Sequence, residues 1–164
     1  VPDTNPRGQA MVNELLWVHG MLRNALGEVQ RLAAEVHDGL PPERVRESVR
    51  SLSVDNAVWT LRTNCLYYCR FVHGHHTLED THLFPALRRS NPALGPVVDK
   101  LEADHVVVAR DLERIEQAAG ELVGGGSRAD LVEALTALAD HLLAHLEYEE
   151  EQISPTLRTW TGWP

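Results

Sequence analysis

Apolar residues return every three or four positions along most of this chain, and histidines interrupt the same stripes. From about Gln9 to His37 the stripe reads Val12, Leu15, His19, Leu22, Leu26, Val29, Ala33 and Val36. That spacing lines side chains along one face of an α-helix. It returns from about Asn56 to Arg89, through Leu61, Cys65, Tyr68, Val72, His75, Glu79 and His82. A third run, from about Val97 to Leu122, carries Val98, Leu101, His105, Val108, Leu112 and Ile115. The fourth, from about Arg128 to Gln152, carries Leu131, Ala134, Leu138, His141 or Leu142, His145 and Glu149. Strand-like alternation is nearly absent, and Ala, Leu, Glu and Arg are abundant. Long helices with one apolar face and short links bury those faces against one another. The predicted fold is therefore all-α, an up-down antiparallel four-helix bundle.

The punctuation fits that reading. Asp38-Gly39 and Pro41-Pro42 end the first helix, and the charged segment Glu43 to Arg50 is read as a short helical connector or lid. Ser51 to Asp55 reads as a break with capping residues. Gly74 weakens the second helix, and Pro85 should kink or end it. Asn91-Pro92 and Gly95-Pro96 make the next link, with Pro96 suited to a first helical position. Gly124-Gly125-Gly126 is a flexible break, and Ser127 with Asp130 resembles a helix cap. One domain is expected over residues 1–164, with a core at about 9–157. In the tail, 158–164, Trp160 and Trp163 are expected to dock on the bundle or on a partner.

Composition narrows the function. A formal charge of −9 argues against nucleic acid or an anionic membrane as the main partner. The apolar runs are too short to span a membrane, and no charged-then-apolar segment opens the sequence, so a cytoplasmic location is expected. The two cysteines, Cys65 and Cys69, stand four apart on one helix and are read as buried free thiols. Nine histidines equal Phe, Tyr and Trp combined.

Those histidines fall into a pattern. The segment from His75 to Leu87 aligns with the segment from His145 to Leu157 at a constant offset. His75/His145, Glu79/Glu149, Asp80/Glu150, Leu83/Ile153, Pro85/Pro155 and Leu87/Leu157 match, giving H-x3-E-[DE]-x2-[LI]-x-P-x-L twice. Residues four apart lie one above the other on a helix, so each His and Glu can offer an imidazole nitrogen and a carboxylate to one metal or to two adjacent ones. Mixed His and carboxylate donors suit iron, and also manganese or zinc. A buried carboxylate without a partner is costly, and a metal removes that cost. His19 and His105 stand alone in the other two stripes, where a bundle directs them at the same interior point.

These residues resemble the hemerythrin-like, or HHE cation-binding, family over roughly Glu14 to Leu157. The stretch H-G-H-H-x2-E-D-x-H-L-F-P is most similar to its actinobacterial branch. The resemblance implies an up-down bundle around two non-heme iron ions with oxo, hydroxo and carboxylate bridges. It implies as ligands His19, His75, Glu79, His105, His145 and Glu149. Oxygen-carrying members have H-x3-H on the third helix, whereas here His105 is followed four residues later by Ala109. One imidazole is missing, which weakens the case for reversible oxygen carriage.

Several neighbours stay open as ligands or outer partners. The repeat replaces His76 with Leu146, so His76 is read as an outer-sphere or surface residue. Asp80 and Glu150 are placed to orient ligand imidazoles. The repeat selects Glu149 as the carboxylate ligand, whereas the spacing of the oxygen carriers would select Glu150. His141, four before His145, either replaces the missing imidazole or lies outside the site. His82 is read as outer-sphere or exposed. Tyr68 and Tyr148 are close enough in sequence to the ligands to donate a hydrogen bond or to ligate.

The leading expectation is a di-iron protein that binds or reduces a small oxidant: O2, H2O2 or NO. Catalase-like peroxide decomposition is preferred. The alternatives are an oxidase or oxygenase on an organic substrate, which requires an apolar pocket beside the metals, and an iron or oxygen sensing or storage module. The ferritin-like spacing E-x2-H occurs at Glu79/His82 and Glu102/His105. That version requires His82 and Glu102 on metal with His75 and His145 off it.

Overall fold

The computed structural model describes residues 4–38, 51–122 and 127–164, with the backbone alone at 51–59. It has four long helices, with no strand among the described residues. Helix α1 is Pro6–Asp38 and α2 is Ser51–Leu78. A π-helical turn, Glu79–Leu83, joins α2 to the short α3, Phe84–Ser90. A 3-10 turn at Pro92–Leu94 leads to α4, Gly95–Leu122, and α5 is Arg128–Leu157. The expected connector at 43–50 and the glycine break at 124–126 lie outside the described residues.

Each long helix runs antiparallel to the next long one. His19 meets His75 while Tyr68 donates to the Leu22 carbonyl, which pairs α1 with α2 in opposite directions. At one end of the bundle the Arg128 guanidinium donates to the Val36 carbonyl, and at the other the Asn5 amide donates to the Arg158 carbonyl. Those bonds close the ring between α1 and α5. The Gly8 backbone is packed so tightly on α5 that a methyl group there would collide with the Leu157 and Arg158 carbonyls. Ser127 caps α5 by accepting from the Asp130 amide, as its sequence suggested.

Three local expectations are corrected. No break separates Ser51 from Asp55: the segment is already helical, because residues with capping chemistry are also tolerated within a helix's first turns. Gly74 does not interrupt α2, since a single glycine costs only about 1 kcal/mol against the packing of a whole face. Pro85 neither ends the helix nor stands in a plain kink. The register slips before it, the Phe84 amide donating to the Glu79 carbonyl, and α-helix resumes to Ser90. A proline has no amide to give and its ring crowds the preceding turn, so a wider turn there relieves both conflicts. The fourth helix also runs past Gln152 to Leu157, with Pro155 in its last turn.

The core comes in two apolar halves. One gathers Leu22 to Val36 of α1, Leu61 to Val72 of α2, Val108 to Leu122 of α4 and Leu131 to Leu146 of α5. The other gathers Val12, Leu15, Phe84, Leu87, Val98, Leu101, Ile153 and Trp160. Trp160 is buried and its indole N–H donates to Ser90 Oγ at 3.1 Å, so the tail docks on its own bundle. Cys65 and Cys69 are buried free thiols, and burial pushes both up to about 12. Between the halves lies a layer of buried polar side chains.

Candidate metal centre

Each long helix passes from one apolar half to the other through this layer. α1 contributes His19 between Leu15 and Leu22, and α4 contributes His105 between Leu101 and Val108. α2 and the π-helical turn contribute His75, His76 and Glu79, and α5 contributes His145 and Glu149. All are buried except His75, whose side chain is 12% exposed.

Their donor atoms converge. Within one group of close donors stand His76, Glu79, His105 and His145; within a second stand His19, His75 and Glu79. Glu79 belongs to both. His75 Nε2 is 3.2 Å and His105 Nε2 is 3.5 Å from Glu79 Oε1. Glu149 sits likewise between the groups, its Oε2 3.3 Å from His145 Nε2 and 3.8 Å from His19 Nε2. The two carboxylates occupy the middle, with three imidazoles on one flank and two on the other.

Protein hydrogen bonding does not account for these atoms. His19 Nε2, His75 Nε2, His76 Nε2 and all four carboxylate oxygens of Glu79 and Glu149 are buried without a well-formed hydrogen bond. At about 1–3 kcal/mol for each unsatisfied group, seven such atoms would consume much of a domain's stability. His105 Nε2 and His145 Nε2 face one another at 3.1 Å. Two nitrogens about 2.1 Å from one ion, at right angles, would stand about 3.0 Å apart. The donor set therefore fits divalent or trivalent cations on both geometry and chemistry.

The electrostatics agree. Burial, with like charge from neighbouring imidazoles, lowers His75 to about 4, His105 to about 3 and His76 to about 2. These rings are neutral at physiological pH and keep a lone pair for a metal. Burial and then the charge on Glu149 push the Glu79 carboxyl well above the carboxylate range. Burial also works against the Glu149 carboxylate, but the Glu79 carboxyl and the His145 imidazole beside it hold it below that range. The pair does not carry two negative charges unless a cation is present.

An outer ring of carboxylates fixes the imidazoles. His19 Nδ1 lies 2.9 Å from Glu150 Oε1, which also accepts from Arg23 at 2.7 Å. His105 Nδ1 lies 2.7 Å from Asp80 Oδ1, and His145 Nδ1 lies 3.3 Å from Asp104 Oδ2. Such pairs set the tautomer and turn Nε2 inward. Asp80 and Glu150 stand where the sequence suggested an orienting role. Asp104 was missed: it precedes His105 and lies off the inward stripe, so helical spacing gives no sign of it.

The remaining candidates are placed differently. His76, expected outside the site, is inside it, stacked on His105 with centroids 3.8 Å apart. His141 is half-exposed and bound to Asp111 at 2.6 Å, outside both donor groups, so it does not supply the missing imidazole. His82 is exposed, and Glu102 pairs with Arg88, so the ferritin-like spacing finds no centre. Tyr68 spends its hydroxyl on the Leu22 carbonyl, and Tyr148 lies under Lys100 Nζ.

Comparison with known families decides the matter: the model for "Hemerythrin HHE cation binding domain" matches residues 10–157. The chain belongs to this family. No curated protein and no solved structure matches it. Membership makes this a cation-binding domain, the buried layer holds the His and Glu groups that could bind the cation, and the expected helical bundle is the fold observed. No described helix is long and apolar enough to cross a membrane.

Proposed function

We propose that this HHE domain holds two iron ions and reduces a small oxidant, with hydrogen peroxide preferred over O2 and NO. The observation that carries the reading is the division of the donors into two groups that share Glu79. His76, His105 and His145 would hold one ion, and His19 and His75 the other, with Glu79 and Glu149 between them. The third-helix imidazole replaced by Ala109 is supplied from α2 by His76, whose ring lines the same small cavity as Ala109. When bound, iron supplies one-electron steps between ferrous and ferric states and polarises the oxidant.

The chain's own groups do the rest. Glu79 and Glu149 bring negative charge to a site that would otherwise concentrate cations. Imidazoles oriented by Glu150, Asp80 and Asp104 hold the donor geometry through a change of charge. The apolar halves on either side exclude bulk water, so fewer solvent dipoles reorganise. A cavity of about 170 Å3, lined partly by His73, Thr77 and Asp80, offers a polar way in for a molecule the size of peroxide.

The test is metal analysis and optical titration. Reconstituted protein should hold two irons per chain, change its near-ultraviolet charge-transfer bands with H2O2, and evolve oxygen. Iron-loaded protein inert to H2O2, O2 and NO alike would refute the reading. One observation favours a second reading, oxidation of an organic compound: an apolar groove of about 330 Å3 reaches His75 and Glu79.

A further inference from the structure

Among the described residues, two unlike openings serve the two flanks of the donor layer, besides a third recess at His145. On the three-imidazole flank lies the small polar cavity of His73, Thr77 and Asp80. On the two-imidazole flank lies the groove between α1, the π-helical turn and the tail. Buried Glu79 and nearly buried His75 form its inner end, while Leu78 and Trp163, 61% and 56% exposed, stand at its mouth. Met11 and Leu83 are among its apolar walls. Its polar groups at the surface are Glu14 and His82, and none of the lining residues is Lys or Arg.

We propose that this groove binds a neutral hydroquinone, the two-electron donor for peroxide reduction at the centre. The proposal rests on the oxidant reading above. A volume of about 330 Å3 lies at the lower end of small-ligand pockets and takes one substituted ring. The apolar walls suit the ring face, and the Glu14 carboxylate can accept its O–H. The same carboxylate, without a cation in the lining, disfavours anionic donors. The flank with fewer imidazoles adjoins the groove, so the donor and the peroxide reach the centre from opposite sides. The donor loses two electrons and two hydroxyl protons and becomes the quinone. The O–O bond of peroxide breaks, and its oxygens take up those electrons and protons to leave as two waters.

Binding is read first on metal-free protein, by NMR titration with 4-tert-butylphenol, which carries the ring and one hydroxyl. Signals of Met11, Leu78, Leu83 and the Trp163 indole should shift together. Met11→Trp, which fills the groove, and Leu78→Glu, which charges its exposed lip, should each weaken binding at least tenfold. Iron-loaded protein should then oxidise tert-butylhydroquinone, approaching one per peroxide as the hydroquinone saturates the groove and oxygen evolution falls. Both variants should lose that activity at least tenfold while decomposing peroxide alone at the parent rate. Leu78 is exposed, so its variant keeps the test valid if the tryptophan at position 11 impairs folding. No shift at the groove, shifts that neither variant weakens, or binding without hydroquinone oxidation would each overturn the proposal. A chain that takes up no iron sinks the oxidant reading instead. Two bound irons that turn over peroxide but never the hydroquinone sink the groove's role alone.

Discussion

At Glu79, burial and the charge of Glu149 raise the carboxyl's pKa, so the metal-free protein pays for a carboxylate pair that only a cation balances. Glu79→Gln should therefore raise the melting temperature of the metal-free protein by about 3–5 °C and abolish stoichiometric metal uptake. A lower melting point with uptake intact would contradict this. His76→Ala should weaken uptake about tenfold or more, while His141→Ala should leave it unchanged in the same metal titration. Protons compete with metal at the same nitrogens. His75, His76 and His105 have folded pKa values of about 4, 2 and 3, below the ordinary 6.5. The unfolded chain thus binds more protons at these rings, and their contribution is complete above pH 6.5 and lost as pH falls. Glu79 and Asp80, the latter raised to about 6 chiefly by burial, act in the opposite sense. Three rings outnumber two carboxyls, so metal-free protein should melt lower at pH 5 than at pH 7 by calorimetry.

The long helices were legible because every turn of each repeats the same packing demand, and the stripes name most of the buried residues. The π-helical turn was not. One slipped hydrogen bond leaves no period in the sequence, and only Pro85 hints at it. The donors His75, Glu79, His145 and Glu149 could be read from the internal repeat, and His19 and His105 from their stripes. His76 could not, because the repeat pairs it with Leu146. Two adjacent helical residues point about 100° apart, so His75 and His76 reach opposite flanks of the centre, His76 beside the small Ala109. Close packing of elements was equally invisible, and glycines test it. Gly8→Ala should destabilise the protein by about 1–3 kcal/mol, since the methyl meets the backbone of α5. Gly27→Ala, in α1 with open space around it, should stabilise by about 0.5–1 kcal/mol. Urea melts of the two variants compare them directly, and equal midpoints would refute the packing argument.

Across the whole molecule, the polar layer interrupts what would otherwise be one continuous apolar interior. Glu79, Glu149 and five imidazoles meet at mid-height from all four long helices, and a cation held in common would add to the direct contacts there, such as His19 with Glu150 and His105 with Asp80. Each cation present at a thousandfold its Kd adds about 4 kcal/mol to stability. Chelation should lower the melting temperature accordingly, and dialysis against ferrous iron should restore it. The layer also bears on cooperativity. With cations in place, amides of both apolar halves should exchange with solvent at one common, slow rate, as a single unit. Without them, the end built on Phe84, Leu101, Ile153 and Trp160 and the larger end built on Leu22, Leu112 and Leu138 should exchange at two separate rates. The centre would then act as a rivet as well as a reaction site, making one folding unit out of two.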